Sequence, residues 1–106
     1  MLERGIQARF LKWANGNDWI WVCKYPGGTF GKAGTPDVLM SVLGLFLAIE
    51  FKTQTGIQSE IQKYEQEKIR KSGGICEVAR SFEEAVRIVE TVREQAQAVK
   101  ERFHAE

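Results

Sequence analysis

The sequence predicts an α/β domain built in the order helix, strand, hairpin, helix, strand, helix, that is α-β-β-β-α-β-α. Three observations predict it. Residues 2–14, 59–72 and 82–103 space their apolar side chains at helical intervals. Residues 19–25, 45–51 and 75–79 are instead short runs rich in aromatic and β-branched residues, the composition of strands. Glycine-bearing turns separate these segments, and strands alternating with helices mark an α/β fold.

A chain of 106 residues makes one domain, residues 1–106, with room for a modest core. Its 43% hydrophobic and 27% charged residues are those of a soluble globular protein. The net charge of +1 provides no global basic field, so any nucleic-acid surface must be local. The start of the chain carries no signal-peptide pattern, and no apolar run is long enough to span a bilayer. A cytoplasmic location without a membrane partner is expected. Cys23 and Cys76 lie far apart without a CxxC pattern, and His104 is the only histidine, which argues against structural zinc. Both cysteines read as reduced core residues.

Taken in order, residues 2–14 form an amphipathic helix ended by Asn15-Gly16-Asn17. Leu2, Ile6, Phe10 and Trp13 make the expected buried stripe, while Arg4, Ala8 and Lys12 face water. Glu3 admits two readings. It complements the helix dipole in the first turn, or it points inward from the edge of the apolar arc. Residues 19–25 follow as a strand. The glycine-rich stretch 25–36 is too long for a tight turn and reads as a flexible loop bordering a site. Lys24 and Lys32 stand at its shoulders, where phosphate contacts are expected rather than base contacts.

The loop opens into residues 36–52, two apolar arms joined at Leu43-Gly44. A hairpin symmetric about that turn sets Val42 against Leu45, Met40 against Leu47 and Asp37 against Glu50. Directly opposed residues share a face, and strand alternation puts Lys52 on the side of Glu50. A lone Glu–Lys pair would be an ordinary solvated charge pair. Asp37 in register changes that, because two facing, partly buried carboxylates repel and resist ionisation. A divalent cation compensates, and hard oxygen donors select magnesium or manganese over zinc.

After the turn at residues 53–56, Ser59 and Gln62 fit a capping box, and a helix runs to Gly73-Gly74. Its thin apolar stripe is Ile57, Ile61, Tyr64 and Ile69. Gln62 is either the cap alone or an amide placed beside the acidic patch. Residues 75–79 form a short strand. A second capping box, Ser81 to Glu84, opens a long helix. Phe82, Ala85, Val89, Val92, Ala96, Val99 and Phe103 repeat along it in heptad fashion. At about 1.5 Å per residue such a helix outruns a small sheet. Residues 94–106 are therefore expected to offer a self-association surface and a homodimer.

Pro36-Asp37, a spacer and Glu50-Phe51-Lys52 resemble the signature of the PD-(D/E)XK nuclease superfamily. With Glu3 on an early helix, Gly34 before Pro36-Asp37, Ala48-Ile49 before Glu50, and Gln62 and Gly73-Gly74 beyond, the whole chain resembles the stand-alone VRR-Nuc branch. Ser59-Glu60-Ile61-Gln62 departs from the Ser-Pro-Glu-Gln helix start common there. Gln62 and Tyr64 also stand too close together for the Q-x-x-x-Y motif of related exonucleases.

The resemblance implies a restriction-endonuclease-like core with a mixed sheet flanked by helices. It implies a DNA endonuclease using Mg2+ or Mn2+ held by Asp37, Glu50, the Phe51 carbonyl and Glu3. Lys52 and Gln62 would assist at the reacting phosphate, and the break would leave a 5′-phosphate. Stand-alone members suggest branched DNA such as four-way (Holliday) junctions as substrate, in phage or bacterial replication and repair. The alternatives are a catalytically idle DNA-binding or scaffold module, and a flap or restriction-like endonuclease.

Overall fold

A two-residue turn with both residues at positive φ, Leu43 at 47° and Gly44 at 96°, sets the geometry of the sheet. Such a turn matches the right-handed twist of paired strands and fixes their register. The computed structural model describes residues 2–27 and 31–104. Strands β2 (Val38–Val42) and β3 (Leu45–Phe51) pair antiparallel about the turn, with Val42 opposite Leu45 and Met40 opposite Leu47. This is the register that the hairpin's symmetry predicts.

Strand β1 (Ile20–Lys24) pairs antiparallel with β2, and β4 (Ile75–Ala79) pairs parallel with β3. The sheet is therefore mixed, in the order β1-β2-β3-β4. A parallel neighbour for β3 requires a crossover, and α2 (Glu60–Lys71) provides it. Helices α1 (Glu3–Asn15) and α3 (Phe82–His104) complete the predicted α-β-β-β-α-β-α order.

Strand alternation gives the sheet two unlike faces. One face carries Ile20, Val38, Met40, Val42, Leu47, Ile49, Phe51 and Ala79, and α1 and α3 close over it. Phe10 from α1 and Phe51 from β3 meet there with ring centroids 5.4 Å apart in a tilted arrangement. Trp13 packs edge-on to Trp19, over which the Arg93 guanidinium lies 4.2 Å from the ring centroid. The opposite face carries Asp37, Leu39 and Ser41 on the β2 arm and Phe46, Ala48 and Glu50 on β3. Helix α2 covers its β4 side. Ile69 and Phe46 both close on Gly74, where a Cβ would stand 2.8 Å and 3.0 Å from them.

Four expectations need correction. Leu2 is exposed because it is the N-cap of α1 and not part of its stripe, and Gln7 is buried in its place. Cys23 is exposed, since it lies on the uncovered face, whereas Cys76 is buried as expected. The apolar stripe expected of α2 faces water at Ile57, Ile61 and Tyr64, and the buried residues are Glu65 and Gln66. The glycine-rich stretch packs, at least where it is described. Gly34, at a φ of 82°, sits so close to α2 that a Cβ would meet the Ile61 carbonyl oxygen at 2.5 Å. Residues 28–30 of that stretch lie outside the described residues.

The capping boxes also differ. At α2 the box is complete: Gln62 N donates to Ser59 Oγ and Ser59 N to the Gln62 side-chain oxygen. At α3 the Glu84 N–H donates to Ser81 Oγ, but the Glu84 carboxylate reaches one residue further back, to the N–H of Arg80. The Arg80 guanidinium donates to the Thr53 and Gly56 carbonyls and ties down the turn after β3. Along α3 the stripe is half-buried at Phe82 and buried from Ala85 through Ala96, while Val99 and Phe103 are exposed.

Candidate active site

The pairing that sets Val38 opposite Ile49 carries one residue further to Asp37 and Glu50. Asp37 stands just outside β2, yet the ladder continues through it. The Tyr25 N–H donates to its carbonyl at 2.8 Å, and its own Oδ2 accepts the Phe51 N–H at 2.8 Å. These two bonds orient the Asp37 carboxylate across the hairpin toward β3. Glu50 answers from the other arm and is 1% exposed, on a strand buried from Leu47 to Phe51.

Burial raises the Glu50 carboxyl from its ordinary 4.5 to about 9, with the hydrogen bond and the negative charge of Asp37 adding to the effect. Lys52 opposes this shift and Glu3 contributes to it, so both stand within electrostatic reach of Glu50. Glu50 Oε2 is buried and has no hydrogen-bond partner among the described residues. An orphaned carboxylate oxygen beside a second carboxylate is a strong demand for a cation.

The donor chemistry fits a hard divalent ion. Among the described residues no three His, Cys, Asp or Glu side chains converge closely enough to hold a metal by themselves. A magnesium-type ion does not need three. One or two carboxylates suffice, the remaining positions being filled by water and substrate phosphate. Glu3 lines the adjoining cavity, of about 580 Å³, together with Asp37, Gln7, Lys24 and Lys32. It therefore faces inward, on the side of the carboxylate pair.

The remaining expected site residues divide. Lys52 continues β3, its N–H bonded to the Ala79 carbonyl at 3.0 Å. Lys24 is exposed at the cavity wall. Lys32 reaches across to α2, where its ammonium lies 3.3 Å from the nearly buried Glu65 carboxylate. The side-chain oxygen of Gln62 is engaged in the α2 cap, which ties its amide to the helix start. Sequence reasoning missed Gln7, Glu65 and Gln66, the last of which donates to the Gln58 side-chain oxygen. The available signal was the thinness of the apolar stripe of α2, since a helix lying over a polar site has few apolar residues to bury.

A mixed four-stranded sheet with a carboxylate from each arm of its central hairpin defines an α/β domain of the restriction-endonuclease-like class. Two solved structures share this fold more closely. One, named "VRR_NUC domain protein", superposes with a TM-score of 0.70 at 21% identity, covering 85% of this chain and 86% of its own. The other, named "VRR_NUC domain", gives 0.69 at 24% identity, covering 83% of this chain and 94% of its own. The chain has the VRR-Nuc fold. No family model matches the sequence, and no curated protein matches it significantly. No helix among the described residues is long and apolar enough to cross a membrane.

Proposed function

We propose that the protein is a metal-dependent endonuclease that hydrolyses phosphodiester bonds in DNA. One observation carries the reading: Asp37 and Glu50 converge from opposite arms of the hairpin and leave Glu50 Oε2 buried and unpartnered. Magnesium or manganese would be held by Asp37, Glu50 and the Phe51 carbonyl, with Glu3 acting from the cavity wall. When bound, the ion supplies a lowered water pKa and draws charge from the phosphate.

The chain's own residues do the rest. The Phe51 N–H fixes the Asp37 carboxylate, so that its orientation is set before substrate arrives. Lys52 holds the attacking water and offsets charge on the pentavalent phosphorus. Lys24 and Lys32 take flanking phosphates, Lys32 from its place beside Glu65. Gln62 acts through the helix start that it caps, setting α2 and with it Glu65. Branched DNA, such as a four-way junction, suits a small domain that works as a homodimer with two sites. The exposed Val99 and Phe103 at the end of α3 supply a seam for that dimer. The setting would be replication or repair in a bacterial or phage-infected cytoplasm.

Asp37→Asn tests the reading. It should abolish cleavage of junction, flap and linear duplex substrates in magnesium and in manganese, while DNA binding persists. A variant that still cuts refutes the assignment, and the relative rates of the wild type on the three substrates decide the preferred branch.

A further inference from the structure

The cavity beside the carboxylate pair holds groups that the pair itself does not use. Its wall includes Glu3 and Asp37 but neither Glu50 nor Lys52. It therefore adjoins the place where an ion and the reacting phosphate would sit, without containing it. The space lies off the ends of β1 and β2, between the first turns of α1 and the loop that leads to Asp37. By register Lys24 pairs with Val38 and stands on the face that α1 covers. It meets the cavity from the side of α1, not from that of Glu50.

Gln7 is only 8% exposed, yet its amide makes no hydrogen bond among the described residues. Nor is that amide sealed in, because the fully buried polar side-chain atoms without a partner are Glu50 Oε2 and Arg93 Nε. An amide neither bonded nor sealed opens onto the cavity it lines. Arg4, one turn earlier on α1, lines the same wall. Among the described residues neither Arg4 nor Lys24 meets a carboxylate, whereas Lys32 is engaged by Glu65. Leu2 caps α1 without a side-chain oxygen, so the positive end of the helix dipole is left uncompensated there. Two cations without a counter-charge, an amide donor and a helix start select an anion. Glu3 and Asp37 would repel that anion unless an ion neutralised them, which points to a phosphate that arrives together with a metal-bound one. A DNA backbone supplies it, one link along the strand. A neutral amide suits the position, since a lysine would displace the metal and a glutamate would repel the phosphate.

We infer that the cavity under α1 is a backbone subsite, in which Gln7 and Arg4, with Lys24, hold the phosphodiester next to the scissile one. The inference rests on the nuclease reading for the word "scissile", but the phosphate site itself does not. Such a contact fixes the strand's position and reads no base, so the arm of a four-way junction satisfies it.

The test uses metal-free protein and a labelled four-way junction, read by anisotropy over a range of salt concentrations. Arg4→Gln should weaken binding about tenfold or more and lower the slope of log affinity against log salt by about one, the loss of one charged phosphate contact. Gln7→Met keeps the length of the side chain and drops the donor. It should weaken binding by a similar factor with the slope unchanged, because an amide carries no charge. Gln7→Glu should weaken binding at least as much. In magnesium, Arg4→Gln should raise KM with little change in kcat, since a neighbouring phosphate is held alike before and during the reaction. Arg4 is exposed on α1, so its substitution carries the test should a Gln7 variant fail to fold.

Unchanged affinity and slope in Arg4→Gln overturn the inference. So does an equal loss in Lys12→Gln, in the last turn of α1, which would reduce the effect to net charge. A Gln7→Glu variant that binds the junction like wild type and takes magnesium more tightly by calorimetry also overturns it, by giving the amide to the ion. Wild type that binds the junction with an Arg4-dependent slope but never cuts in magnesium or manganese sinks the nuclease reading and leaves the phosphate site standing.

Discussion

Replacing Glu50 by glutamine separates what the buried carboxyl does for function from what it costs the fold. In the metal-free protein the folded carboxyl titrates at about 9 against 4.5 ordinarily, chiefly through burial and then through Asp37. Between those values the folded state holds a proton that the unfolded chain has released. The stability contributed by neutral Glu50 is therefore complete below about 4.5 and is lost progressively as pH rises toward 9. From 4.5 to neutrality is roughly two and a half pH units, at about 1.4 kcal/mol each, or between about 3 and 4 kcal/mol. Glutamine resembles the protonated acid in shape and can donate its amide to Asp37, but it has no proton to lose. Metal-free Glu50→Gln should thus be more stable than wild type at pH 7 by up to about 3–4 kcal/mol, a rise in Tm on the order of 10 °C for a domain of this size. At pH 4.5 the two should nearly coincide. Magnesium at a hundredfold excess over Kd should stabilise the wild type by about 2.7 kcal/mol, read as a rise in Tm, and leave the variant unmoved. Calorimetry across that pH range, with and without the ion, reads all three. Equal stability at pH 7, or a gain that persists unchanged at low pH, refutes the claim that this carboxyl is buried against its own charge.

Other substitutions probe the supports of the site. Gly34→Ala forces a side chain into the left-handed region and against the Ile61 carbonyl, so it should cost about 2 kcal/mol or more in urea denaturation and loosen Lys32 from α2. Gln62→Ala removes half of the α2 capping box and should cost about 0.5–2 kcal/mol in stability, while the cleavage rate of folded protein falls by no more than a few-fold. A loss of several orders of magnitude would instead place the Gln62 amide at the reacting phosphate.

Much of the fold was legible because local chemistry and global topology agree where the hairpin turns. Leu43-Gly44 fixes the register, and the register alone sets Asp37 against Glu50. The ends of β4, read as residues 75–79, and the crossover helix also follow from local signals, since Ser59 and Gly73 bound α2 by capping chemistry alone. What the sequence hid is tertiary. Nothing local says that the loop before Asp37 is held down, because the restraint is the close approach of Gly34 to a helix that begins 26 residues later. Nor does Lys32 announce its partner, since Glu65 lies on another element and in sequence is one acid among several on a mixed-charge helix.

The outward apolar residues of α2 and the exposed aromatics of the sheet face share one physical setting. Periodicity assumes that apolar residues mark the side of an element facing the core. That holds for α1 and α3, which pack on the apolar face of the sheet, and it fails on the other face, where the surface to be covered contains two carboxylates. The inward polar groups of α2 are held by partners of their own, Glu65 by Lys32 and Gln66 by Gln58, while Ile57, Ile61 and Tyr64 turn outward. The same inversion exposes Trp21 and Phe46, which in an ordinary two-layer sheet would be core. Outward apolar residues on α2 thus mark the side of the helix away from the sheet, the reverse of what periodicity alone assigns.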